Sequence, residues 1–140
     1  MYGEFNWFLS TIRFSRILSQ AYASLFSVSA TMNSLESYYS AIDQIEGRLE
    51  RWRVAIPENF RPGLHPQFVT FSDPATKMPA MYTHFRYYSL VIALARLTLY
   101  LRANESSPRT EENKRTLMRA ARMVIELIQF VDTAPHTPIL

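Results

Sequence analysis

Histidine is the side chain most suited to acid–base or metal chemistry near neutral pH, and this chain has three, His65, His84 and His136. None has a second histidine four residues away, and no cluster of carboxylates stands beside one at ligand spacing, so the pattern offers no metal site. They read as surface or capping residues. A Ser/His/Asp arrangement can be written from Ser89, His84 and Asp73, but no glycine-flanked nucleophile turn surrounds a serine. Cysteine is absent, which excludes disulfides, thiolate zinc sites, iron–sulfur clusters and thiol nucleophiles together. Loops that cradle phosphate need several glycines close together, and Gly3, Gly47 and Gly63 are dispersed. Neither enzyme chemistry nor a cofactor is expected of this chain.

Charge and aromatic residues offer binding rather than catalysis. The chain carries 15 basic and 12 acidic side chains, a net +3, and all but Lys77 and Lys114 of the basic set are arginine. So small a surplus does not argue for nucleic acid unless cations cluster on one face. Arg115, Arg119 and Arg122, with Lys114, form such a stripe at helical spacing, but Glu111 and Glu126 stand four residues from its ends and partly neutralise it. No direct nucleic-acid contact is expected. Tyr82, Phe85, Tyr87, Tyr88 and Tyr100 either line a pocket between helices or fill the core.

The elements that must position these residues are helices. A first helix is expected over about 4–28, where Phe5, Phe8, Leu9, Ile12, Leu18, Ala21, Tyr22, Leu25 and Phe26 recur mostly at three- and four-residue intervals. A second opens with Asn33 as N-cap and Glu36 three residues on. Its apolar residues Leu35, Tyr38, Ile42, Ile45, Leu49, Trp52 and Ile56 are spaced alternately by three and four, a heptad seam that packs within a bundle or across a dimer. Pro57 closes it. Five prolines between 57 and 79 predict an ordered loop over that range, with a short extended piece at 67–71, strapped to the bundle by Phe60, Leu64 and Phe68. A third helix over about 80–102 is apolar on nearly every side and so central. A fourth starts at a Thr110 cap with Glu111 and Glu112 near its positive end, and runs to Asp132.

The 140 residues make one all-α domain, a bundle of about four long helices, with 48% apolar content sufficient for a core. The most hydrophobic run, 87–95, is far too short to cross a bilayer, and no secretory signal opens the chain. The last residues, 134–140, end on an unburied Ile-Leu pair, which predicts that the chain is a piece of a larger helical domain and that its apolar tail is an interaction surface.

Three segments together resemble the fungal-specific transcription factor domain, the middle homology region of zinc binuclear-cluster regulators. Residues 8–27 are similar to that family's helix of the form i-R-L-a-r-I-l … l-Y-s. Leu49, Trp52, Ile56 and Pro57 match its L-x-x-W-x-x-x-l-P. Residues 81–99 are similar to its h-x-x-Y-h-x-x-x-i-x-L-h-R-P, with Tyr87 and Arg96 retained and Ala95-Arg96-Leu97 standing where relatives have His-Arg-Pro.

The resemblance implies an all-α regulatory module, nuclear in the full protein, that modulates activation and in some relatives answers a small metabolite. Zinc is expected only in a separate DNA-binding part. The implied partner is the rest of its own transcription factor or a second copy meeting along the Leu35–Ile56 seam; no membrane is involved. The alternative is an independent helical adaptor that dimerises through the same seam.

Overall fold

The computed structural model describes residues 5–63 and 71–131. Among them the chain forms four α-helices and no strand: α1 (Trp7–Ala21), α2 (Leu35–Val54), α3 (Pro74–Leu101) and α4 (Pro108–Ile128). The expected all-α bundle is the observed fold.

Local chemistry sets each boundary. Asn6 caps α1 by accepting from the Leu9 amide at 2.9 Å. The helix ends in one wide turn of π type, Tyr22–Phe26, closed by the Ser27 amide on the Tyr22 carbonyl at 2.8 Å. Ser24 and Ser27 donate back to the Gln20 and Ala23 carbonyls there, competing with the regular ladder. A short 3₁₀ turn, Ser29–Met32, leads to α2.

The cap of α2 is Ser34, not the expected Asn33: Ser34 Oγ accepts from the Ser37 amide at 3.2 Å. Asn33 is committed elsewhere, its side-chain amide donating to the Ser24 carbonyl at 3.2 Å. At the other end Arg61 donates to the Ile56 and Val54 carbonyls at 3.1 and 3.0 Å, satisfying groups the helix leaves open.

The expected loop over 57–79 is shorter than predicted, because α3 begins at Pro74 and contains Pro79. Proline at the first position lacks only an amide that no helix partner would use. Pro79 forfeits one ladder bond in the second turn, and burial of Ala80, Met81 and His84 just beyond it offsets that cost. The predicted extended piece falls mostly on residues outside those described, though Phe71 at its end is buried. Ser107, with Pro108 after it, caps α4 by accepting from the Thr110 amide at 3.3 Å; Thr110 is buried as the third helical residue rather than acting as the cap. Asp132 and the apolar tail lie outside the described residues.

Helix α3 is central, as expected, touching α1, α2 and α4. One core layer joins Phe14, Ile17, Ala21 and Leu25 of the first helix and its π turn to Ile42, Ile45, Leu49, Trp52, Leu90 and Leu94. A second joins Phe71, Met81 and Tyr88 to Ala120 and Leu127 of α4. Phe60, Tyr87 and Val91 pack against both.

Candidate functional site

The seam on α2 is spent inside the chain. Ile42, Ile45, Leu49, Trp52 and Ile56 are all buried against α1 and α3, while Leu35 is 48% exposed and Tyr38 half-buried. Trp52 stacks on Phe14 with ring centres 5.0 Å apart and donates its indole N–H to the Ser10 carbonyl at 2.9 Å. This corrects the seam as an outer dimer surface: five of its side chains have no face left for a second copy without opening the core.

The sequence Leu49-x-x-Trp52-x-x-x-Ile56-Pro57 ends in a tied corner. After Pro57 the chain makes a 3₁₀ turn, Glu58–Phe60, and folds back across α3. His84 Nε2 lies 2.9 Å from the Phe60 carbonyl, so the imidazole is the Nε2–H tautomer, donating. Tyr88 Oη accepts from the Gly63 amide at 2.9 Å, and Arg53 donates to the Pro62 carbonyl at 3.2 Å. Gly63 has φ +90°, and a Cβ there would come 3.1 Å from the Arg53 guanidinium, so both conformation and space call for glycine. Trp7 closes over Phe60 edge-on, with ring centres 5.0 Å apart.

His84 is the residue sequence reasoning misplaced. It is 1% exposed rather than on the surface, edge-on to Phe71, and its Nδ1 has no partner among the described residues. Burial lowers its pKa to about 4, opposed by the bond to the Phe60 carbonyl. The signal was its spacing, three residues after Met81 and four before Tyr88, both buried. His65 and His136 lie outside the described residues. Asp73 caps α3 through the Ala75 amide, and Ser89 is exposed, so the paper triad is not assembled. Among the described residues no group of three His, Asp or Glu could hold a metal ion.

Tyr87 and Arg96 complete the residues singled out by resemblance. Tyr87 is half-buried and meets Tyr88 edge-on at 5.2 Å; burial raises its pKa, with Arg53 opposing. Arg96 is exposed on α3, which runs unbroken past it to Leu101.

The chain is 27% identical over 149 residues to an ABC-transporter-regulating transcription factor of Aspergillus oryzae, covering 96% of this chain and 16% of that protein. It is 27% identical over 144 residues to the protein of the same name in Aspergillus fumigatus, covering 92% of this chain and 16% of that protein. The chain is similar to fungal transcription factors. It spans about one sixth of the length of these relatives. No family profile and no solved structure matches it.

The aromatic set divides. Tyr82 and Phe85 do line a groove, of about 580 Å³, between α3 and the end of α1, with Phe14, Leu18, Tyr22 and Phe26 opposite. Arg86 lies over the Tyr82 ring at 5.5 Å and sits at the groove's polar edge. Tyr88 is core, and Tyr100 is 79% exposed elsewhere. Leu18, Tyr22 and Phe26 are substantially exposed along this groove, which gives it an apolar lining open to solvent.

The basic stripe on α4 is a solvated face. Glu111 pairs with Lys114 at 3.2 Å and Glu112 with Arg115 at 3.5 Å, i,i+3 pairs rather than the expected Glu111–Arg115 pair. Such exposed pairs contribute little to stability. Arg119 and Arg122 stand exposed beside Met118. Among the described residues no helix is long and apolar enough to cross a membrane.

Proposed function

We propose that this chain is a helical regulatory module of a fungal transcription factor, acting in the nucleus by modulating activation, while DNA recognition and its zinc belong to a separate part of the protein. The observation that carries this reading is the alignment to two named transcription factors over nearly the whole chain. The Leu-x-x-Trp-x-x-x-Ile-Pro corner supports it, because its anchor residues build the core and turn on which the module depends. No cofactor and no catalytic role is assigned to the chain. Its partner in this reading is the remainder of the same transcription factor, and the groove between Tyr22 and Tyr82 is where a small, mainly apolar effector would enter.

The test is a reporter in fungal cells. The chain is fused between a heterologous DNA-binding domain and an activation domain, beside the same fusion with an unrelated helical spacer. A reporter output changed at least threefold by the chain, and restored by Trp52→Ala at equal protein level, is the expected result. Output equal to that of the spacer would overturn the proposal.

A further inference from the structure

A second cleft runs between α1 and α2, with no α3 residue among its described lining residues, and the charged ones among them are all arginine. Arg13 and Arg16 project from α1, and Arg48 and Arg51 from α2. Among the described residues no carboxylate lines the cleft. Its floor is apolar, formed by Leu9, Ile17, Trp52 and Ile56, and its volume is about 400 Å³. Arg48 is held by the side-chain oxygen of Gln20, a neutral partner. Arg13, Arg16 and Arg51 are exposed and have no acidic partner among the described residues. The neighbouring carboxylate, Glu50, is taken by Arg53 through two bonds of 2.7 and 2.8 Å outside the cleft.

We infer that this cleft is a docking site for an acidic amphipathic peptide segment, with its apolar residues on the Trp52 floor and its carboxylates on the two arginine walls. Charge complementarity selects an anion, since carboxylates meet guanidinium forks with bonds stronger than neutral ones. Shape selects a peptide over a compact anion. The α1 wall from Leu9 to Ile17 covers about 12 Å at 1.5 Å per residue. Along each wall the two arginines are three residues apart, roughly one helical turn, which is the repeat of acidic side chains on one face of a bound helix. Nucleic acid is disfavoured by the same floor: Trp52 is 7% exposed, with its indole N–H engaged, and offers no face for a base to stack on. The inference stands on the cleft alone, so it does not depend on the transcriptional role proposed above.

The experiment is fluorescence anisotropy on the full 140-residue chain. The probe is a labelled helical peptide of four turns, with Leu and Glu on adjoining faces. Three comparison probes are its Glu→Gln counterpart, a polyglutamate of equal charge, and a single-stranded oligonucleotide of equal charge. Saturable binding of the Leu/Glu peptide that weakens with salt is expected, with each comparison probe at least tenfold weaker. The double variant R13E/R16E, and separately R51E, should lose at least tenfold in affinity while keeping wild-type circular dichroism; these exposed side chains carry no structural bond. R119E/R122E, an equal charge change on α4, should stay within twofold. Binding of polyglutamate or the oligonucleotide as tight as the peptide's would overturn the inference. So would no saturable peptide binding, unchanged affinity in both cleft variants, or an equal loss in the α4 control.

Discussion

Acidification should destabilise this protein through one imidazole. In the folded chain His84 has a pKa of about 4, against an ordinary value of 6.5 once unfolded. A base with a depressed pKa binds fewer protons folded than unfolded, so its contribution to stability is complete above pH 6.5 and is lost as pH falls through 4. Linkage between those two values gives a loss of about 2 kcal/mol between pH 7 and pH 5, from this residue alone. That range lies mostly above the titration of ordinary carboxylates. The structural cause is specific. Protonation at Nδ1 would add a second N–H with no acceptor among the described residues, in a side chain 1% exposed and edge-on to Phe71. Urea unfolding at the two pH values, for the wild type and His84→Asn, isolates the residue, since His65 and His136 are common to both proteins. The wild type should lose about 2 kcal/mol and the variant less than about 0.5. Should the variant be too weak to compare, the His84 ring resonance followed by NMR should stay neutral down to pH 5. Equal pH slopes in both proteins, or a His84 resonance titrating near 6.5, would refute the reasoning.

Further outcomes follow from the core and the corner. Ile45→Ala, at a fully buried position between α1 and α2, should cost about 2–5 kcal/mol in urea unfolding and leave the molar mass by light scattering unchanged. A halved mass with helix content retained would instead place Ile45 in a dimer interface. Gly63→Ala must carry a Cβ at φ +90° against Arg53, so a cost of about 1–2 kcal/mol is expected. A melting temperature equal to that of the wild type would show that the corner relaxes freely.

How much was legible in the sequence follows from the range of each signal. Helix α2 was readable nearly residue by residue, because Leu35 to Ile56 alternate by three and four and a proline follows. Its cap was not. Asn33 and Ser34 are both good caps, and the choice fell to Ser34 because Asn33 is needed across the turn at Ser24, nine residues back. The start of α3 was hidden by counting Pro74 and Pro79 as breakers, when one sits at a position that tolerates proline and the other is followed by a buried turn. Of the candidate sites, the Tyr82 and Phe85 pair pointed to a real groove, but its other wall comes from a helix some sixty residues earlier. The arginine cleft left no mark as a motif, since Arg13 and Arg16 are separated from Arg48 and Arg51 by the turn that folds α1 onto α2.

The sequence by itself determined an all-α chain, the central place of its third helix, and the absence of cysteine chemistry, because periodicity and residue inventory are properties of neighbours along the chain. Tertiary structure alone decided that the α2 seam is internal, that His84 is buried and neutral, and that four arginines face one apolar floor. Those are facts about surfaces meeting. An apolar stripe specifies that something must cover it, but only the packing of α1 and α3 against it specifies what, and so which side chains remain outside to bind.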